Sequence, residues 1–184
     1  MPQCAFLNDR IAAFESARTR CEALAEGLDD TSANRQPRPG KWSPAENLAH
    51  LSLVAAGYFP RLENALTVGR AKGRTGAAPF RRKSFVGGLL IRMLDPAKKT
   101  KLKAPGAFKP SRSRLDWGAT QRRFYADIDR FIELAHAADG LDLDRCRLPT
   151  PIAPWPRLTA AEAFTLHSLH IPRHLDQAQR AIDA

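Results

Sequence analysis

Apolar side chains return at spacings of three, four and seven along most of this chain, and the breaks in that rhythm divide it into four long helical stretches. From about Gln3 to Leu28 the stripe is Phe6, Ile11, Phe14, Cys21, Leu24 and Leu28, with no internal proline. Gly27, Asp29 and Asp30 end it, and a polar, proline-bearing run from Thr31 to Lys41 leads onward. The next start is marked three ways. Ser43 can cap, Pro44 suits a first helical position whose N–H would be unpaired anyway, and Glu46 can reach back to close a capping box. Leu48, Leu51, Ala55, Phe59, Leu62 and Leu66 carry this second helix to about Val68, with Pro60 expected to kink it or remove a hydrogen bond. A third helix is expected from about Ser113 to Ala138, built on Leu115, Trp117, Phe124, Ile128, Phe131, Ile132 and Ala135 and stopped by Gly140. The fourth opens at Thr159, where Glu162 completes a second capping box, and runs through Phe164, Ile171, Leu175, Ala178 and Ile182.

Four long helices and no convincing strand predict an all-α fold, a four-helix bundle. Its second and third helices are joined by residues 69–112, far longer than an ordinary helix-to-helix connection, so a structured or functional crossover is expected and a simple up-down-up-down order is not. Within the crossover, Phe85, Val86, Leu89, Leu90, Met93 and Leu94 can form a short helix before Pro96. No fixed-period repeat is visible. The length of 184 residues fits one domain, 1–184, with 69–112 as an insertion.

No window approaches the roughly 18 apolar residues of a membrane span, and Asn8, Asp9 and Arg10 stand where a signal peptide would place its apolar core, so a cytoplasmic protein is expected. Cys4, Cys21 and Cys146 are odd in number and widely spaced, which suggests neither a disulfide framework nor a thiolate metal site, and they read as buried thiols. The formal net charge of +10 is concentrated: fourteen Lys or Arg lie between Arg70 and Arg114 against the single acid Asp95.

The candidate chemistry lies in the histidines. His167, His170 and His174 stand at i, i+3 and i+7 of the last helix, on one side of it and at the edge of its apolar stripe. His50 lies similarly off the stripe of the second helix. Neutral imidazoles converging from rigid helices suit a divalent metal, two nitrogens one turn apart and a third from a facing helix leaving room for water or substrate. Taken alone, the same histidines fit capping or surface positions better. Pro172, between His170 and His174, should remove a backbone hydrogen bond, disfavour helical geometry at Ile171 and displace the pair. His136 suits a cation at the end of the third helix. Trp42 is expected to staple a helix start onto the core and Trp155, between two prolines, to plug the bundle end.

Two motifs carry a resemblance. Lys41-Trp42-Ser43-Pro44-Ala45-Glu46-Asn47-Leu48-Ala49-His50-Leu51 resembles the W-S-x-x-E-x-x-x-H-L signature of the DinB/YfiT-like superfamily, and His170-Ile171-Pro172-Arg173-His174-Leu175-Asp176-Gln177 resembles its closing H-x-x-x-H-x-x-Q. The stretch Lys103 to Pro110 is similar to the Pro- and Phe-bearing loop common in members of this size. The resemblance implies a four-helix bundle with a long crossover, frequent homodimers, and a divalent metal ion (Ni, Zn, Mn or Fe) on His50, His170 and His174. His167 has no clear role in the family pattern and reads as a group supporting the ligands or as an alternative ligand.

Members of the superfamily include metal-dependent thiol transferases and isomerases, so the resemblance also implies a metal that activates a thiol or water against a small-molecule substrate. No nucleophilic Cys or Ser motif and no glycine-rich phosphate loop accompanies the histidines, and any attacking group must come from the metal or the substrate. The alternative is a non-catalytic binding module. Residues 70–114, with Arg81, Arg82, Lys83, Lys98, Lys99, Lys101 and Lys103, would hold an anionic partner such as nucleic acid or a membrane surface, while the plainer reading leaves those charges solvated.

Overall fold

The computed structural model describes residues 4–76, 84–94, 104–111 and 113–184. Helix α1 spans Ala5–Ala25 and is followed by a single short helix, α2, Asp30–Asn34, whose start is closed by Asp29 and Ser32. Helix α3 spans Pro44–Ala71, α4 Phe85–Leu94, α5 Trp117–Ala137 and α6 Ala160–Ile182. A two-stranded antiparallel hairpin, β1 Arg147–Thr150 and β2 Ala153–Thr159, joins α5 to α6.

The fold is all-α apart from that hairpin. The four long helices foreseen in the sequence are α1, α3, α5 and α6. Helices α3 and α1 each pack on both α6 and α5, which closes one core around Phe14, Leu48, Leu62, Phe124, Ile128, Phe131, Phe164 and Leu175, all fully buried. Phe131 stacks on Phe14 with centroids 5.0 Å apart and meets Phe59 at 4.7 Å. Each such side chain contributes about 1.5–3 kcal/mol through apolar burial. The cysteines are free, with Cys21 and Cys146 buried and Cys4 half-buried. Among the described residues no helix is long and apolar enough to cross a membrane.

Both capping boxes form as the sequence spells them. Ser43 Oγ accepts from the Glu46 N–H at 3.1 Å while Glu46 Oε2 accepts from the Ser43 N–H at 2.8 Å. Thr159 and Glu162 repeat the exchange at 3.1 and 2.8 Å. The two internal prolines do not break their helices. Pro60 leaves the Ala56 carbonyl without its ladder partner, and beside it Arg61 Nη1 donates to the Gly57 carbonyl at 2.7 Å, yet α3 runs on to Ala71. Pro172 likewise lies within an unbroken α6.

Two expectations fail. A strand pair exists where none was foreseen, because the proline-rich Leu148 to Pro156 segment offers little strand signal, although it pairs Arg147 with Thr159, Leu148 with Leu158 and Pro149 with Arg157. Trp155 does not plug the helix ends: it lies on the hairpin, 75% exposed. The basic side chains Arg81, Arg82, Lys83, Lys98, Lys99, Lys101 and Lys103 lie outside the described residues.

Within the crossover, α4 forms where the Phe85 to Leu94 pattern places it, and buried polar chemistry docks it on α6. Ser84 caps α4, its Oγ accepting from the Gly87 N–H at 3.0 Å. The same hydroxyl donates to Glu162 Oε2 at 3.0 Å, and the Ser84 N–H donates to Glu162 Oε1. Glu162, fully buried, thus closes the start of α6 and anchors the start of α4. Gly87 is required by that approach, since a Cβ there would lie 2.1 Å from the Glu162 carboxyl carbon. Because that carboxylate is fixed by its own hydrogen bonds, Gly87→Ala is expected to cost about 1–3 kcal/mol and to raise amide exchange in α4 ahead of α3 and α6. Denaturant unfolding and hydrogen exchange check it, and wild-type stability with wild-type exchange would refute this docking.

Candidate metal centre

His50 comes seven residues after the cap of α3, and His170 and His174 stand one turn apart on the facing stretch of α6. The helix that continues through Pro172 keeps the last two rings 4.6 Å apart, centroid to centroid, so the proline does not displace the pair. His50 lies 4.5 Å from His174 and 5.2 Å from His170 by the same measure. One nitrogen from each of the three rings falls within 4.8 Å of the other two. All three are largely enclosed, His50 4%, His174 7% and His170 9% exposed.

Neighbouring groups fix the rings. His50 Nδ1 lies 2.7 Å from the Phe108 carbonyl, which can only accept, so the proton sits on Nδ1 and the Nε2 lone pair is free. Phe108 closes a single 3-10 turn, Gly106–Phe108, in the crossover loop, and that loop therefore supports the site. His174 Nδ1 lies 3.0 Å from Asn47 Oδ1. Asn47 Nδ2 donates to the Ser43 carbonyl at 2.9 Å, which orients the amide so that Oδ1 accepts the His174 proton. His174 Nε2 is thereby left as a lone pair too.

The third ring makes the arrangement suit a cation. His170 Nε2 faces His50 Nε2 at 3.4 Å, while His170 Nδ1 is buried with no hydrogen-bond partner among the described residues. Two imidazole nitrogens sharing a tetrahedral ion at bonds of about 2.0–2.1 Å would stand about 3.3 Å apart. Burial also keeps the rings in the state a metal needs. The pKa values of His170 and His174 are held well below the ordinary value, first by desolvation and then by the neighbouring histidines and Arg173. That of His50 is lowered by desolvation, against the pull of its bond to Phe108. Neutral imidazole is the ligating form. Three close histidines of this kind can hold a divalent ion, with coordination positions left over.

Glu46 is not available to the cluster. Its carboxylate accepts from the Ser43 N–H and from Gln36 Nε2, the latter at 3.0 and 2.8 Å to its two oxygens. The Ser43 and Glu46 positions of the sequence motif therefore set the helix start, and its histidine belongs to the site.

Trp42 and His167 sit elsewhere than the sequence suggests. Trp42, expected as a staple in preference to a pocket wall, lies with its ring 4.7 Å from His50 and stacked at 5.7 Å on His174, so it walls the histidine cluster. Its place one residue before the cap was the available signal. His167 lies outside the three-histidine group. It is 2% exposed, packs edge-on to Tyr58 at 4.7 Å and against Phe131 at 4.5 Å, and its Nε2 has no partner among the described residues. It is a neutral core residue, its pKa pushed down to about 3 by burial. His136 lies exposed in the last turn of α5, at the helix end expected for it.

A family model described as the DinB superfamily matches residues 13–178, a span that contains both histidine-bearing helices. No curated protein and no solved structure matches the chain.

The burial of His167 has a consequence for stability. Between its folded pKa of about 3 and the ordinary value of 6.5, the unfolded chain takes up a proton that the folded chain refuses. Stability from this residue is complete above the ordinary value and is lost as the pH falls toward the folded one, by up to about 1.4 kcal/mol per pH unit. His167→Leu is expected to flatten the decline by that share. Urea unfolding of both proteins at several pH values across this window checks it, and parallel declines would contradict it.

Proposed function

The chain belongs to the DinB superfamily, and from that premise we propose that it is a metal-dependent enzyme whose divalent ion is held by His50, His170 and His174. The supporting observation is the pair of Nδ1 tethers, His50 to the Phe108 carbonyl at 2.7 Å and His174 to Asn47 Oδ1 at 3.0 Å. They leave both Nε2 atoms as lone pairs in a cluster whose third ring is His170. An all-imidazole donor set suits Zn, Ni or Fe better than Ca or Mg. When bound, the ion supplies Lewis acidity, lowering the pKa of a thiol or water for transfer or hydrolysis.

The protein's own residues do the rest. Three neutral histidines would leave the charge of a bound divalent ion uncompensated. Trp42 excludes water from one side of the rings. With Glu46 committed to the helix start, the three-histidine group includes no carboxylate among the described residues.

Elemental mass spectrometry on protein purified without tag or chelator tests the ligand set. About one transition metal per chain is expected, lost in His50→Ala and His174→Ala with helix content retained. Asn47→Ala is expected to weaken metal affinity about 10–100-fold while leaving all three ligands in place. Stoichiometric metal in either histidine variant would overturn the assignment.

A further inference from the structure

An open cleft of about 880 Å³ lies beside the histidines, between the first turn of α3, the segment around α2, and the chain that follows Phe108. Trp42 joins the cleft to the histidine cluster, because it lines the cleft and also packs on His50 and His174. They share a support as well: Lys109 in the cleft lining directly follows Phe108, whose carbonyl holds the His50 proton. A volume of this size accommodates a ligand of metabolite to drug dimensions.

The charges in the cleft are unevenly committed. Its cations are Arg35, Lys109 and Arg114, and its acids are Asp30 and Glu46. Both acids are engaged, Glu46 by Ser43 and Gln36, and Asp30 Oδ1 by the Trp117 N–H at 2.9 Å. None of the three cations forms an ion pair among the described residues, and Arg114 reaches only the Thr31 hydroxyl, at 3.3 Å. Elsewhere on the surface Arg18 pairs with Asp129, Arg20 with Asp176, and Arg130 with Glu63 and Glu133. Arg38 and Lys41, which flank the lining residues Pro39 and Gly40 in sequence, add to the positive potential. Unpaired guanidinium groups at a concave surface beside an indole face offer a fork for an oxyanion and a platform for the body attached to it.

We propose that this cleft binds the anionic end, a carboxylate or phosphate ester, of the small molecule whose reactive end is presented past Trp42 to the three histidines. Arg35 and Arg114 bind the oxyanion, Lys109 adds charge, and Trp42 covers the apolar middle. The proposal rests on the metalloenzyme reading only for where the reactive end goes; the anion site itself needs no metal.

Calorimetry on chelator-stripped protein at low salt, with tricarballylate, glycerol 2-phosphate and the uncharged tricarballylamide as probes, separates the two. At least one anion is expected to bind, the better of the two identifying the headgroup, with affinity falling as salt rises and no heat from the amide. Arg35→Gln/Arg114→Gln is expected to weaken that anion about tenfold or more, and Lys109→Gln to weaken it less, with the metal content of the unstripped double variant unchanged. Equal binding of acid and amide, wild-type affinity in the double variant, or no binding of either anion at millimolar concentration would overturn the proposal. Absence of metal in the wild-type protein would instead count against the histidine assignment alone.

Discussion

Each helix that carries a histidine ligand candidate starts at a point fixed by a hydroxyl and a glutamate exchanging hydrogen bonds three residues apart. Ser43 with Glu46 sets α3, and Thr159 with Glu162 sets α6. A shift of one residue at either start would rotate a helix by about 100° and turn its imidazoles away from the common point. The two glutamates do more than cap. Glu46 is tied to Gln36 and so to the segment after α2, and Glu162 is tied to Ser84 and so to α4. The long crossover is held at one end by a cap and at the other by the Phe108 carbonyl on His50, which places a loop remote in sequence around the histidines.

Desolvation gives the site its character. Four imidazoles are buried in the interior shared by α3 and α6, and each gives up its charged form to be there. Only three are positioned to use the neutral form chemically. His167, surrounded by Tyr58 and Phe131, has no facing nitrogen. His50, His170 and His174 face one another, His170 Nε2 lying 3.4 Å from His50 Nε2, with the lone pairs of His50 and His174 set by their tethers. That is an uncomfortable arrangement for an empty core and a favourable one for a cation.

Much of this was legible in the chain. The capping boxes state both helix starts to the residue, and the amphipathic stripes give four long helices and the short α4. The grouping of His50, His170 and His174 comes with the resemblance to the DinB superfamily, while spacing alone leaves His167 beside the other two on α6. What the sequence hid has physical causes. Taking about 100° per residue on α6, His167 lies closer to the centre of the apolar stripe than His174, and His170 farthest, so its burial was readable from the wheel but masked by grouping three histidines together. Trp42 is ambiguous in the sequence because a residue preceding a cap can pack on the core or over a neighbouring site, and only the approach of α6 decides between them. Pro172 reads as a helix breaker in the sequence, whereas α6 runs through it, and its packing on α3 and α1 outweighs the loss of one hydrogen bond. The hairpin and Trp155 escaped because prolines weaken strand signals while leaving the pairing at Leu148 and Leu158 intact.

The most direct measurement is X-ray absorption on the protein reconstituted with one zinc per chain. A shell containing three imidazole nitrogens at about 2.0–2.1 Å, reduced to two in His170→Ala, is the result this account requires. An oxygen-only shell, or one unchanged by that substitution, would show that the three histidines converge without holding the ion.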